Sequence, residues 1–288
     1  MWLIFAFGSA FFAGITAVLA KIGIRQTDST LATALRTIVV LLFSWLMVFI
    51  VGSQATIGQI ELKTLVFLIL SGLATGASWL CYFRALQLGD VNRVAPVDKS
   101  STIITMLLAI IFLGEPLTAS KAAGIVIIGA GTWLMAAPQT AAAGKSTPRK
   151  NRWFLFAFLS AVFASLTAIL GKVGIQNIES NLGTAIRTIV VLAMAWLMVF
   201  VTGKQREIRR IDRRSWLFLL LSGITTGLSW LCYYRALQDG QASIVVPIDK
   251  LSILITVFFS YQLLKEKLTR KGMAGLILIT AGTLVLLW

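Results

Sequence analysis

The sequence predicts an all-α polytopic membrane protein, with ten transmembrane helices arranged as two inverted five-helix repeats. Three observations carry that expectation. Apolar blocks have membrane-spanning length, one half of the chain repeats the other, and basic residues gather on one face only if the halves are upside down relative to each other. Of 288 residues, 58% are hydrophobic and 13% charged, and the mean hydropathy is +0.87. A soluble chain carries about 25% charged residues. Here the apolar excess is concentrated in long blocks, and a bilayer span needs roughly 20 apolar residues.

The repeat is the strongest signal. Shifted by 151 residues, positions 2–137 align with 153–288 without a gap, giving 67 identities in 136 pairs. SWLCYFRALQ at Ser78–Gln87 returns as SWLCYYRALQ at Ser229–Gln238. PVDK at Pro96–Lys99 returns as PIDK at Pro247–Lys250, and ALRTIVVL at Ala34–Leu41 as AIRTIVVL at Ala185–Leu192. The domain plan is therefore repeat 1 at 1–137, a linker at 138–152 rich in Ala, Thr, Lys and Pro, and repeat 2 at 153–288.

The apolar blocks of repeat 1 fall near 2–20, 31–52, 64–86, 94–113 and 120–138. Those of repeat 2 fall near 153–171, 182–202, 215–237, 245–264 and 271–288. The first block resembles a signal peptide in composition, but its copy lies in mid-chain, so both are read as membrane helices. Five is an odd number of spans, which turns the second copy over.

Charge tests that inversion independently. Repeat 2 gains Lys204, Arg206, Arg209, Arg210 and Arg213 in its second connection, and Lys265, Lys267, Arg270 and Lys271 in its fourth. Repeat 1 holds its unmatched positives, Arg25 and Arg93, in odd-numbered connections. Inverted halves bring all of these to one face, with Lys145, Arg149, Lys150 and Arg152 of the linker. The positive-inside rule makes that face cytoplasmic and puts both termini outside. The expected location is the cell (inner) membrane, as a multi-pass protein.

A net charge of +15 would raise nucleic acid as a partner in a soluble chain. The basic residues lie in short runs between apolar blocks, with no zinc-finger spacing and no basic–aromatic stripe, so no nucleic acid is expected. The two cysteines, Cys81 and Cys232, sit at matching apolar positions and are read as small packing residues. The chain has no histidine, which argues against acid–base catalysis and most zinc and haem sites. No metal, no cofactor and no enzyme activity are expected. The expected partners are a small-molecule substrate and the lipid bilayer, with a homodimer as a further option.

The helix ends add a resemblance. LGEPLT at Leu113–Thr118 is matched by LKEKLT at Leu264–Thr269. A small-residue fifth block follows each, AAGIVIIGAGTWL at Ala122–Leu134 and MAGLILITAGTLV at Met273–Val285. On these features the chain resembles the drug/metabolite transporter superfamily, each half looking like one EamA-type unit. The resemblance implies a secondary transporter, exporter or facilitator of a small metabolite, amino-acid-like or otherwise organic, working by alternating access. A lipid-linked-sugar flippase or its accessory subunit is the alternative it leaves open. It also implies cytoplasmic termini, the reverse of what the charges indicate.

Six charged pairs survive in both halves: Lys21/Lys172, Arg36/Arg187, Arg84/Arg235, Asp98/Asp249, Lys99/Lys250 and Glu115/Glu266. Charge inside a membrane segment is costly and points to function. Lys99, Lys250, Arg36 and Arg187 are therefore candidate substrate-binding residues, a cationic lining for a carboxylate or phosphate. The competing reading is snorkelling to the headgroups, favoured for Lys21 and Glu115 at helix ends. Asp98 and Asp249 are expected to pair with Arg84 and Arg235 in a charge network across the third–fourth helix corner. Lys99 and Lys250 then face the cavity, since neighbours on a helix project about 100° apart. Trp79 and Tyr82, and likewise Trp230 and Tyr233, form an aromatic stripe per half that either lines a pocket or packs as core. Gly72 and Gly76, with Gly223 and Gly227, read as close helix-packing sites.

Overall fold

The computed structural model describes residues 1–23, 27–88, 94, 97–136, 152–264 and 270–288. In the first half the helices are α1 (Trp2–Gly23), α2 (Ser29–Val51), α3 (Leu62–Leu88), α4 (Ser101–Phe112) and α5 (Ala119–Ala136). The second half holds α6 (Arg152–Gly174), α7 (Ser180–Val201), α8 (Arg213–Asp239), α9 (Ala242–Lys250), α10 (Ser252–Leu264) and α11 (Arg270–Val285). Among the described residues, seven stretches are long and apolar enough to cross a bilayer, and the chain is a multi-pass helical membrane protein. The expected linker and the basic residues Arg25, Arg93, Lys145, Arg149, Lys150, Lys265 and Lys267 lie outside the described residues, as does Glu266.

Local chemistry sets the helix ends in matching ways. Asp28 caps α2 by accepting from Thr30 N at 2.9 Å and Leu31 N at 3.2 Å. Its counterpart Glu179 caps α7 by accepting from Leu182 N at 3.0 Å. Gly52 and Gly203 end α2 and α7 with φ of 78° and 69°, left-handed values that favour glycine. Each leads into one 3-10 turn, Ser53–Gln59 or Lys204–Arg210.

The two halves interleave. α1 runs along α8 of the other half, and α6 along α3. The register is antiparallel: Gly8 meets Cys232 whereas Gly23 meets Leu219, and Ser160 meets Ser78 whereas Gly174 meets Leu68. α5 and α11 also run in opposite senses, Gly124 lying against Leu286 and Gly131 against Gly275. By contrast, α2 runs with α8, Val39 on Gly223 and Phe43 on Gly227, as α7 runs with α3, Val190 on Gly72 and Met194 on Gly76. A Cβ on Gly72 would lie 2.7 Å from Val190 Cβ, and one on Gly223 2.6 Å from Val39 Cβ. These glycines are the close-packing sites their spacing suggests.

The fourth block differs from the single span expected at 245–264. Pro247 lies inside α9 and has no N–H to donate. The helix closes at Leu251, whose N–H bonds back three residues to Ile248 O at 2.9 Å, and α10 starts afresh at Ser252. The first half repeats this break. Residues 97–99 are helical, Ser100 N donates to Val97 O at 3.2 Å and its hydroxyl donates to the same oxygen at 2.6 Å, and α4 then begins. Both breaks fall immediately after an Asp-Lys pair.

A cleft between the two halves

The breaks bring Asp98 and Lys99 of one half to the same cavity as Lys250 of the other. This cavity, of about 310 Å³, is bounded by α1, α4, α5, α10 and α11. A second of about 310 Å³ takes Lys250 and Asp249 on one side and Arg187, Trp230 and Tyr233 on the other. A third, of about 260 Å³, holds Arg36, Trp79, Tyr82 and Trp230. The first two cavities share Ala13 and Lys250, and the last two share Trp79 and Trp230, so they adjoin. Eight sequence-selected residues, Lys99, Lys250, Arg36, Arg187, Trp79, Trp230, Tyr82 and Tyr233, thus line one composite cleft. The aromatic stripes line cavities, although Trp230 and Tyr233 also pack on the main core.

Among the described residues, neither expected pair, Asp98 with Arg84 or Asp249 with Arg235, is formed. Asp249 Oδ1 accepts from Ser9 Oγ at 2.6 Å, and Asp98 Oδ1 from Ser160 Oγ at 2.6 Å. Each serine comes from the first helix of the opposite half and also meets a third-helix serine, Ser229 or Ser78, at 3.3 Å. Arg235 instead places Nε 3.3 Å from Asp239, and Arg84 lies at an exposed position on α3. The physical reason is the interleaving. The third helix of one half and the fourth of the same half are separated by a helix of the other half, which supplies the partner. Lys250 Nζ reaches back to within 3.6 Å of Asp249, contrary to the expectation from helical projection. A four-carbon stem at the last residue of α9 is long and free enough to close that angle.

The two retained arginines differ. Arg187 is buried, its Nε donating to Ser71 Oγ at 3.0 Å and Nη2 to Thr75 Oγ1 at 2.5 Å. Its guanidinium carbon lies 5.1 Å from the Trp230 ring centroid and 4.8 Å from that of Tyr234, both within cation–π range. Arg36 holds one such bond, Nη2 to Thr226 Oγ1 at 2.8 Å; Nε of Arg36 and Nη1 of Arg187 are each buried without a partner.

Of the residues read as ordinary helix-end charges, Glu115 joins the two halves and Lys172 ties two helices of its own half. Glu115 accepts from Ala242 N at 2.7 Å and Ser243 N at 3.1 Å, as well as from the Ser243 hydroxyl. It thereby caps α9, which belongs to the other half, with Lys121 Nζ at 3.7 Å. Lys121 also donates to Gln241 Oε1 at 2.7 Å. Lys172 donates to Leu237 O at 3.1 Å and to Gly240 O, closing the end of α8. Retention in both halves was the sequence signal for Glu115 and Lys172; their partners were not visible in it.

The EamA-like transporter family model matches residues 1–137 and again 151–288. The chain belongs to that family. EamA-family membership makes it a membrane transporter of small molecules. An uncharacterized transporter encoded in the cobO 3' region of Sinorhizobium sp is 46% identical over 134 residues, 46% of this chain but 95% of its own. An uncharacterized protein of Methanocaldococcus jannaschii is 33% identical over 100 residues, 32% of this chain and 73% of its own. Both relatives are the size of one EamA unit. A solved structure described only as the crystal structure of a protein matches with TM-score 0.82 at 17% identity, over 98% of this chain and 95% of its own, which shows a shared fold.

Proposed function

We propose that the protein is a secondary transporter of a small organic metabolite, working by alternating access at a site between its two EamA units. Ten spans, five per unit in opposite senses, carry it through the cell membrane. The antiparallel registers of α1 with α8, α6 with α3 and α5 with α11 support this threading. So does the ion pair between Asp28, ahead of α2, and Lys204, after α7, at 3.7 Å. Those connections share a face only if the units are inverted. That face collects Arg206, Arg209, Arg210 and Arg213 and is taken as cytoplasmic.

The observation that carries the reading is the pair of helix breaks. Inverted-repeat transporters place substrate at the repeat interface, where interrupted helices present polar groups near the midplane. Here both breaks follow an Asp-Lys pair, and Lys99 and Lys250 enter one cavity from opposite units. Their ammonium groups suit the anionic part of a substrate, and the carboxylate of Asp249 lies 3.6 Å from Lys250 Nζ. In everted vesicles, comparing metabolites retained with and without the protein identifies the cargo. Lys99→Ala combined with Lys250→Ala is expected to abolish its movement. Undiminished movement removes the lysine site.

A further inference from the structure

Equivalent positions in a duplicated protein ought to look alike, and the chamber around Arg36 does not look like its copy around Arg187. Thr33, Arg36 and Thr37 line an open cavity of about 260 Å³. Thr33 and Arg36 are part-exposed there, whereas their counterparts Thr184 and Arg187 are 0% and 2% exposed, Arg187 bordering the second cavity with little of its surface. Arg187 is docked onto two hydroxyls and two aromatic rings. Arg36 is docked onto one hydroxyl, and each guanidinium keeps one buried nitrogen without a partner, Nε of Arg36 and Nη1 of Arg187. Among the described residues, no carboxylate forms an ion pair with either guanidinium. A guanidinium placed among aromatic walls without a counter-ion is costly, and an anion that binds beside it offsets that cost.

We infer that Arg36 is an anion subsite for a small planar carboxylate, held between the rings of Trp79, Tyr82 and Trp230, and that Arg187 is the same subsite in its closed state. The inference rests on the transporter reading above and adds a substrate class and an order of events. Thr33 is four residues into α2 from Ser29, so the chamber lies about 6 Å inside the face carrying the Asp28–Lys204 pair, at 1.5 Å per residue. A carboxylate entering from that face meets Arg36 before Lys250. The two rings of the chamber that also border the second cavity, Trp79 and Trp230, lead inward to Lys250. Arg187 becomes available when its bonds to Ser71 and Thr75 are released and Arg36 docks in its place.

The test uses the full chain in nanodiscs with both native cysteines replaced by alanine, benzoate as the probe and benzyl alcohol as its neutral shape match. Thr33→Cys should react with a charged methanethiosulfonate reagent and Thr184→Cys should not. Benzoate, but not benzyl alcohol, should protect Thr33→Cys. Arg36→Gln should weaken that protection roughly ten- to hundred-fold, the loss expected for one charge-assisted hydrogen bond. Arg36→Lys should weaken it less, and Arg187→Gln should leave it intact. Ser71→Ala with Thr75→Ala should raise labelling at Thr184→Cys. Equal protection by benzyl alcohol, equal losses in Arg36→Gln and Arg187→Gln, or equal reactivity of the two cysteines would each overturn the inference. Transport of an identified metabolite that is insensitive to Arg36→Gln would sink this subsite and leave the transporter reading standing. Absence of any transport alongside Arg36-dependent benzoate protection would do the opposite.

Discussion

In the proposed inverted threading, the face that carries both termini and the face opposite are built from the same repeated elements, yet among the described residues they are fastened differently. On the terminal face, Glu115 caps a helix of the other unit beside Lys121, and both side chains are nearly inaccessible, 6% and 3% exposed. On the opposite face, the described ion pair across the units is Asp28 with Lys204, 25% and 36% exposed. The sequence accounts for part of this. Lys121 has Gly272 as its counterpart, and Gln241, which Lys121 also binds, has Asp90. The lysine that completes the clamp therefore exists once.

Breaking the reinforced clamp should have the largest effect. Glu115→Ala leaves Lys121 buried without a counter-ion and two N–H groups of α9 uncapped. A loss of about 3–5 kcal/mol is expected, the usual consequence of removing one partner from a buried pair. Thermal unfolding in detergent measures it, and a shift no larger than that of Lys204→Ala would remove the contrast between the faces. The interface of α5 with α11 comes next. A Cβ on Gly131 would sit 2.8 Å from Gly275 O and 2.8 Å from Ile279 N, both backbone atoms that cannot swing aside. Gly131→Ala is expected to cost about 1–3 kcal/mol in the same assay. Gly8→Ala meets only Cys232 Sγ at 3.6 Å, an ordinary contact, and should melt with the parent. The smallest effects belong to the exposed face. Asp28→Ala removes the α2 cap and should cost about 1 kcal/mol, whereas Lys204→Ala should leave the melting temperature unchanged, because an exposed ion pair contributes little. If Lys204→Ala costs as much as Asp28→Ala, the ion pair and not the cap holds that corner.

Much of this plan was legible in the sequence. Repetition located the helices, and unequal charge in matching connections gave the expectation of which connections share a face that the proposed threading adopts. The side-chain partners were not legible, for one reason. The expected pairing of Arg235 with Asp249 assumed that consecutive helices of one unit are neighbours. Instead, the first helix of each unit lies on the third helix of the other, so Ser9 reaches Asp249 over 240 positions. Glu115 was placed correctly at a helix end, but a residue at a helix end seeks whichever uncapped terminus lies nearest in space, and interleaving makes that Ala242 and Ser243 of the other half. The helix break after Lys250 had a visible cause in Pro247, and what hid it was the unbroken hydropathy of 245–264. Part of the difference between Arg36 and Arg187 was visible in the repeat, since Tyr234, packed on Arg187, has Phe83 as its counterpart.

Opposite insertion of the two units is most directly tested at Ala55 and Arg206, equivalent and exposed positions in the two 3-10 turns. With the native cysteines replaced, Ala55→Cys should react with an impermeant thiol reagent only from outside the cell, and Arg206→Cys only from the cytoplasmic side. Labelling of both from the same side would contradict the inverted arrangement and, with it, a cleft shared between the units.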